Sequence, residues 1–265
     1  MSLDQTQSFS QGATVSRNLR IDVAQPYTVA LPATAGSIVG FNSRDERSRP
    51  FNLLRGQVQR LAKKQNLRVI GITSATPRVG KSFIAVNLAA SLARLPELKT
   101  YLFDFDLRRS SVADYFQLAN DVGLTEFLDG RLPNLESCAW TIEDQNLTVF
   151  PSFRQKVLSS ELMSGARMDA LIDAMRRAPG PAICICDLPP VFANDDAVII
   201  SQKVDGYILV IEDGVSTAKQ IEHAMRLLEP AICLGTVLNR YDGGIAGDDY
   251  GYGYGSRGQY SDYFN

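Results

Sequence analysis

Eight consecutive residues, 75–82, have the composition of a phosphate-binding loop. They read Ala-Thr-Pro-Arg-Val-Gly-Lys-Ser, with alanine where such loops usually carry their first glycine, and they follow a short apolar run. Backbone N–H groups in such a loop, and at the start of the next helix, point at phosphate oxygens. Lys81 would add charge at the β- and γ-phosphates, and the Ser82 hydroxyl could ligate Mg²⁺, so the pattern predicts a site for ATP or ADP with Mg²⁺. The predicted nucleotide contacts are Ala75, Thr76, Pro77, Arg78, Val79, Gly80, Lys81, Ser82 and Phe83.

Carboxylates close two further apolar runs. Asp104 and Asp106 end the second run in the order F-D-F-D-L-R-R, and Asp187 ends A-I-C-I-C-D before Leu-Pro-Pro. Successive strand residues alternate between faces, so the D-x-D pair is expected to point both carboxylates the same way. A single aspartate at a strand end is often only a helix cap. Two strands that end in aspartate beside a phosphate loop instead predict a catalytic site at one edge of the sheet. Asp187 would hold Mg²⁺ there, directly or through water.

Strand-like and helical segments alternate through the middle of the chain. Apolar runs typical of strands lie at 68–73, 100–105, 147–150, 182–187, 206–211 and 234–238, and helical periodicity lies at 50–64, 81–93, 160–177 and 217–228. Continuous apolar strands separated by helices predict an α/β fold whose mostly parallel sheet is covered by helices on both faces. Ligands of such sheets bind at the carboxyl ends of the strands, so the phosphate loop and the three aspartates should meet there.

Composition excludes several classes of function. Apolar residues make up 45% of the 265 residues and the net charge is −2, which argues against a nucleic-acid binder that works by overall positive charge. The longest apolar runs fall short of the roughly 18 residues of a membrane span, and the first residues lack the apolar region of a signal peptide. The four cysteines form no C-x-x-C pair, so we expect them to be reduced and to pack in the core, without forming disulfides or a zinc site. We therefore expect a cytoplasmic protein with no direct membrane span and no nucleic-acid partner.

The two ends of the chain differ from the middle. The first 48 residues are rich in polar and small residues without a sustained period, and they predict a flexible segment before a domain at 49–240. Residues 241–265 contain six of the ten tyrosines and seven glycines, a composition that supports neither a helix nor a core. We expect this last segment to be a disordered tail.

Three motifs together resemble those of the bacterial tyrosine kinases (BY-kinases), the P-loop autokinases of capsule and exopolysaccharide export. Pro77 before G-K-S, D-F-D-L-R-R at 104–109 and D-L-P-P at 187–190 look like the Walker A, A′ and B motifs of that family. The resemblance covers roughly residues 50–240. It implies a P-loop NTPase of the MinD/ParA-like type that phosphorylates its own tyrosines with ATP.

The resemblance also implies roles for individual residues. Lys81 would act in catalysis with Asp104 and Asp106, of which one accepts the tyrosine proton and the other helps to hold the metal. In the wider superfamily the asparagine after the final strand reads adenine, which indicates Asn239. The implied metal ligands are Ser82, Asp104, Asp106 and Asp187. The implied phosphorylation sites are Tyr250, Tyr252, Tyr254, Tyr260 and Tyr263.

Family membership would bring partners as well. The resemblance implies a homo-oligomer in which one copy phosphorylates the tail of another, and an opposing phosphotyrosine phosphatase. It further implies the cytoplasmic tail of a separate membrane polysaccharide co-polymerase, which would activate the kinase and hold it at the inner face of the plasma membrane.

Departures from the family pattern leave two alternatives open. Arg78 stands where the family usually has glycine, and a positive φ at that position would strain it. The E-x-x-R-x-x-R motif used for ring assembly would align with Arg49, Asn52 and Arg55, so only its last position is kept. One alternative is a MinD/ParA-like switch ATPase, although Thr76 replaces the signature lysine of those proteins. The other is a kinase-like adaptor that binds nucleotide with little turnover.

Overall fold

The computed structural model describes residues 19–31, 36–119 and 121–241, and these residues form one eight-stranded sheet. The strand order is β1-β4-β5-β3-β6-β2-β7-β8, and every neighbouring pair is parallel except β4 with β5. This is the mostly parallel sheet that the alternating pattern predicts. The strands are β1 Tyr27–Val29, β2 Val69–Ser74, β3 Lys99–Asp104, β4 Trp140–Ile142, β5 Leu147–Phe150, β6 Ala182–Asp187, β7 Gly206–Glu212 and β8 Cys233–Asn239.

Helices cover both faces of the sheet. They are α1 Arg49–Gln65, α2 Lys81–Ala93, α3 Val112–Phe116, α4 Leu124–Leu128, α5 Ser159–Ser164, α6 Ala166–Arg176, α7 Asp196–Ser201 and α8 Ala218–Leu227. Because strand residues alternate between faces, Ile70 and Ile72 pack in the core with α1, α2 and α3, whereas Val69 packs in the core with α4 and α6. No helix among the described residues is long and apolar enough to cross a membrane.

The described part of the first 48 residues packs against the domain, which differs from the expectation of a flexible segment. Ile21, Ile38 and Val39 are buried, and β1 pairs with β4. The buried Asn87 side chain accepts hydrogen bonds from the N–H groups of Val39 and Gly40, at 2.7 and 2.9 Å. Ile21, Ile38 and Val39 are too few and too widely separated to form a helical or strand periodicity, so the sequence pattern does not indicate that they are buried.

The segment at 160–177 and the strand β4 also differ from the sequence expectations. The helix predicted over 160–177 is two helices, α5 and α6, because Gly165 between them is extended, with φ −75° and ψ 157°. The short strand β4 was not expected from the sequence, and it takes its place in the sheet by antiparallel pairing with β5. Three residues are too few to show a two-residue alternation.

Candidate nucleotide site

The phosphate loop connects the end of β2 to the start of α2. Gly80 caps the helix with φ 93°, and its carbonyl accepts the first helical hydrogen bond, from the N–H of Ile84 at 3.0 Å. Arg78 has φ 69°, in the left-handed region that a β-carbon disfavours, and its side chain is exposed. Arg78 therefore has the positive φ that we expected to cause backbone strain at this position.

The Lys81 side chain lies between two carboxylates. Its Nζ is 2.9 Å from Oδ2 of Asp106 and 3.2 Å from Oδ1 of Asp187, and all three side chains are buried. Burial alone would lower the pKa of Lys81, but the charges of Asp187 and Asp106 outweigh it and raise the pKa above the ordinary value. The lysine is thus a buried, charged ammonium group at the carboxyl edge of the sheet.

The residues around Asp187 fit a hydrated Mg²⁺. Burial raises the pKa of Asp187, whereas Lys81 and the Ser82 hydroxyl oppose that rise. Its Oδ2 is buried and has no hydrogen-bond partner among the described residues, so this oxygen can accept a metal-bound water. The described residues contain no cluster of three histidine, cysteine or carboxylate groups that could hold a metal alone. A magnesium ion here would take its other ligands from phosphate oxygens and water, as Mg²⁺ commonly does.

Asp104 and Asp106 occupy different environments. The strand β3 ends at Asp104, so alternation along the strand does not extend to Asp106. Asp104 accepts hydrogen bonds from the backbone N–H groups of Asp106, Ser111 and Val112, each at 3.1 Å, whereas Asp106 contacts Lys81. Burial, followed by the charge of Asp187, raises the pKa of Asp104 well above its ordinary value. Asp104 shapes the turn after β3, and Asp106 is the carboxylate that faces the lysine.

Asn239, the last residue of β8, contacts the phosphate loop. Its Nδ2 donates to the carbonyl of Val79 at 2.8 Å, and a β-carbon added at Gly80 would lie 2.2 Å from the same nitrogen. The predicted adenine-reading residue and the loop are therefore adjacent. The predicted role in binding adenine stays a prediction.

Three groups of sequence expectations have different outcomes in the structure. The residues of the phosphate loop, Asp104, Asp106, Asp187 and Asn239 all lie at the carboxyl edge of the sheet. At two of the positions aligned with the ring-assembly motif, the side chains form contacts within the chain. Arg55 donates to the carbonyl of Ser91, and Asn52 accepts from Arg94. The tyrosine residues at 250, 252, 254, 260 and 263 lie outside the described residues.

A side-chain network beside this edge was not expected from the sequence. Arg108 donates from Nε to the hydroxyl of Ser159 at 2.6 Å, and that hydroxyl donates to Asp196 at 2.5 Å. Ser159 and Asp196 are buried. Arg108 belongs to the D-F-D-L-R-R motif, but no motif joins it to Ser159 or Asp196, which are far from it in the chain, so only the fold brings the three together.

Comparison with known proteins places these features among nucleotide-binding domains. Residues 59–249 match the family model described as the CobQ/CobB/MinD/ParA nucleotide binding domain. The tyrosine-protein kinase CpsD of Streptococcus pneumoniae is 35% identical over 198 residues, which is 73% of this chain and 84% of that protein. The tyrosine-protein kinase YwqD of Bacillus subtilis is 32% identical, over 72% of this chain and 80% of that protein.

A solved structure gives the same result. The kinase domain of the Escherichia coli tyrosine kinase ETK superposes with a TM-score of 0.69 at 25% identity, covering 80% of this chain and 88% of that domain. A MinD protein of Pyrococcus horikoshii, solved with Mg-ADP, superposes with a TM-score of 0.56 at 20% identity and shows the shared fold.

Proposed function

This chain belongs to the bacterial tyrosine-protein kinases with the MinD/ParA-like nucleotide-binding fold, and from that premise we propose that it transfers the γ-phosphoryl group of ATP to tyrosines in its own C-terminal segment. One observation carries the proposal. A buried, charged Lys81 faces Asp106 and Asp187 at the carboxyl edge of the sheet, directly after the phosphate loop. A cation beside two carboxylates supplies what phosphoryl transfer needs, namely charge stabilisation and a proton acceptor.

The residues act in a defined order. Lys81 leaves its carboxylates to contact the β- and γ-phosphate oxygens, and backbone N–H groups of the loop bind the remaining oxygens. The phenolic oxygen of a tyrosine then forms a bond to the γ-phosphorus while the bond to the β-phosphate oxygen breaks. ADP leaves with that oxygen, and the phenolic proton moves to Asp106. When bound, Mg²⁺ would be held by the Ser82 hydroxyl and, through water, by Asp187, and it would supply charge neutralisation at the phosphate oxygens.

The acceptors in this proposal are Tyr250, Tyr252, Tyr254, Tyr260 and Tyr263. They lie on a glycine-rich tether, which raises their effective concentration near the site of a neighbouring copy. Each phosphate adds negative charge, which would accumulate on the tail and release it from that site. Phosphorylation in trans would then loosen the oligomer and be reversed by a phosphatase.

The proposed setting is control of exopolysaccharide or capsule export. The tail of a membrane co-polymerase would complete the nucleotide site from outside the chain and hold the kinase at the cytoplasmic face of the membrane. This part of the proposal rests on family membership and on the kinase chemistry of the site.

The test replaces the five tail tyrosines with phenylalanine. Labelling with radioactive ATP should fall to background, while ATP binding measured by calorimetry stays at the wild-type value because the phosphate loop is unchanged. Full labelling of this variant would refute the proposed acceptors.

A further inference from the structure

A surface cleft of about 410 Å³ is lined in part by a residue that closely follows Asp106 of the nucleotide site. Arg108 lies on one side of it, two residues after Asp106, so its Cα is within about 8 Å of the Cα of that carboxylate. The other side is the segment between β5 and α5. The lining residues are Arg108, Gln155, Lys156, Val157 and Leu158, and we name this the acceptor cleft.

Arg108 is held in the cleft by the buried network described above. Its Nε donates to Ser159 and lies 3.5 Å from Oδ2 of Asp196. Asn194 and Ser160 also donate to the Asp196 carboxylate, at 2.6 and 2.7 Å, so several hydrogen bonds fix the position of this carboxylate. The two terminal nitrogens of Arg108 have no hydrogen bond within the described part of the chain. They can therefore donate to an anion in the cleft, in the fork geometry that suits carboxylates.

The rest of the lining combines charge with apolar surface. Lys156 is exposed, and Leu158 is 68% exposed beside the partly buried Val157. The exposed leucine can pack against an aromatic ring, while the two positively charged side chains can pair with carboxylates of the same ligand. A basic cleft with an apolar wall thus favours a tyrosine with carboxylates next to it.

The C-terminal segment contains such tyrosines. Asp248 and Asp249 directly precede Tyr250, and Asp262 directly precedes Tyr263. The other three proposed acceptors follow glycine or glutamine. The tail therefore carries two kinds of acceptor, which differ in the charge of the residue before the tyrosine.

We propose that the acceptor cleft binds the Asp-Tyr segments of the tail, with Arg108 and Lys156 contacting the aspartates and Leu158 packing on the ring. This proposal rests on the proposed function for the fate of the bound tyrosine, but the binding itself does not depend on turnover. It assigns an order to phosphorylation, in which Tyr250 and Tyr263 are modified before Tyr252, Tyr254 and Tyr260.

The first test measures binding of a fluorescent peptide of residues 246–253 by anisotropy, without nucleotide. Wild-type protein should bind it roughly fivefold more tightly than a peptide with asparagine at 248 and 249, because two exposed ion pairs are lost. Lys156→Glu should reduce this discrimination and bind a peptide with lysines at 248 and 249 more tightly than wild type does. Lys64→Glu makes the same charge change near the start of β2, at the opposite edge of the sheet, and should bind like wild type.

The result that overturns the proposal is equal binding of the aspartate and asparagine peptides to wild-type protein. Equal losses in Lys156→Glu and Lys64→Glu would overturn it as well, because only overall charge would then matter.

A second test resolves the phosphorylation sites by mass spectrometry over time. The initial rate at Tyr250 should exceed that at Tyr252 in wild type, and Lys156→Glu should reduce this ratio severalfold. Labelling without any such preference refutes the cleft proposal and keeps the kinase. Selective peptide binding without labelling supports the cleft and refutes the proposed function.

Discussion

The Nζ of Lys81 lies 2.9 Å from Oδ2 of Asp106, and both side chains are buried. Phosphate oxygens and the carboxylates compete for the three N–H donors of the same ammonium group. Nucleotide affinity therefore depends on how strongly the carboxylates hold the lysine. The same contact places a proton acceptor beside the position of the phosphates.

Asp106→Asn should strengthen binding of ADP in the absence of Mg²⁺ by roughly fivefold. The substitution removes one negative charge near the phosphates and one competitor for Lys81, while its carbonyl can still accept from the N–H of Arg109. Calorimetric titration measures the effect, and phosphate transfer with Mg²⁺-ATP should be lost. Asp114→Asn removes an exposed carboxylate paired with Arg154 and serves as the control. Equal ADP affinity in wild type and Asp106→Asn would contradict the competition.

Arg78→Gly should stabilise the protein relative to Arg78→Ala by about 1 kcal/mol. Both variants remove the exposed side chain, but only glycine adopts φ 69° without steric strain. Urea unfolding of the two variants without nucleotide isolates the backbone contribution from the charge of the guanidinium group. If alanine proves as stable as glycine, the backbone at this position is not strained.

Gly80→Ala should cost more than about 2 kcal/mol, because φ is 93° and the new β-carbon would lie 2.2 Å from Nδ2 of Asn239. Asn239→Ala removes the atom that clashes, so the additional cost of Gly80→Ala in that background should fall by about 1 kcal/mol. A double-mutant cycle measured by urea unfolding gives this coupling. Strict additivity would show that the loop and β8 are not in contact.

Asn87→Ala should cost about 2–3 kcal/mol and expose residues 36–45 to protease. The side chain accepts from Val39 and Gly40 and donates to the carbonyls of Ser37 and Phe83 from a fully buried position. The control is Asn146→Ala, which removes two surface hydrogen bonds and should cost less than about 1 kcal/mol. Unchanged proteolysis in Asn87→Ala would show that the segment is held by other contacts.

Some elements could be predicted from the sequence because one local pattern determines them. The helix expected at 81–93 is α2, and the strand expected at 182–187 is β6, since both are apolar segments with clear ends. The meeting of the phosphate loop with Asp106 and Asp187 followed from the rule that parallel strands present their carboxyl ends at one edge.

Other features depend on contacts between residues far apart in the chain. The anchoring of residues 37–40 depends on Asn87, a polar residue inside a helix that the sequence gives no reason to single out. The different environments of Asp104 and Asp106 depend on where β3 ends and on amide groups of the following turn. Boundaries and side-chain partners of this kind are set by packing, which a periodic pattern does not contain.

The most direct test of the account is the intact mass of the purified protein before and after incubation with Mg²⁺-ATP, beside Lys81→Met and a chain that ends at Asn239. We expect phosphate-sized increases in the wild type alone, located in the C-terminal segment. Release of ADP without any increase in mass would contradict the account and indicate a switch ATPase, and nucleotide binding without either product would indicate a kinase-like adaptor.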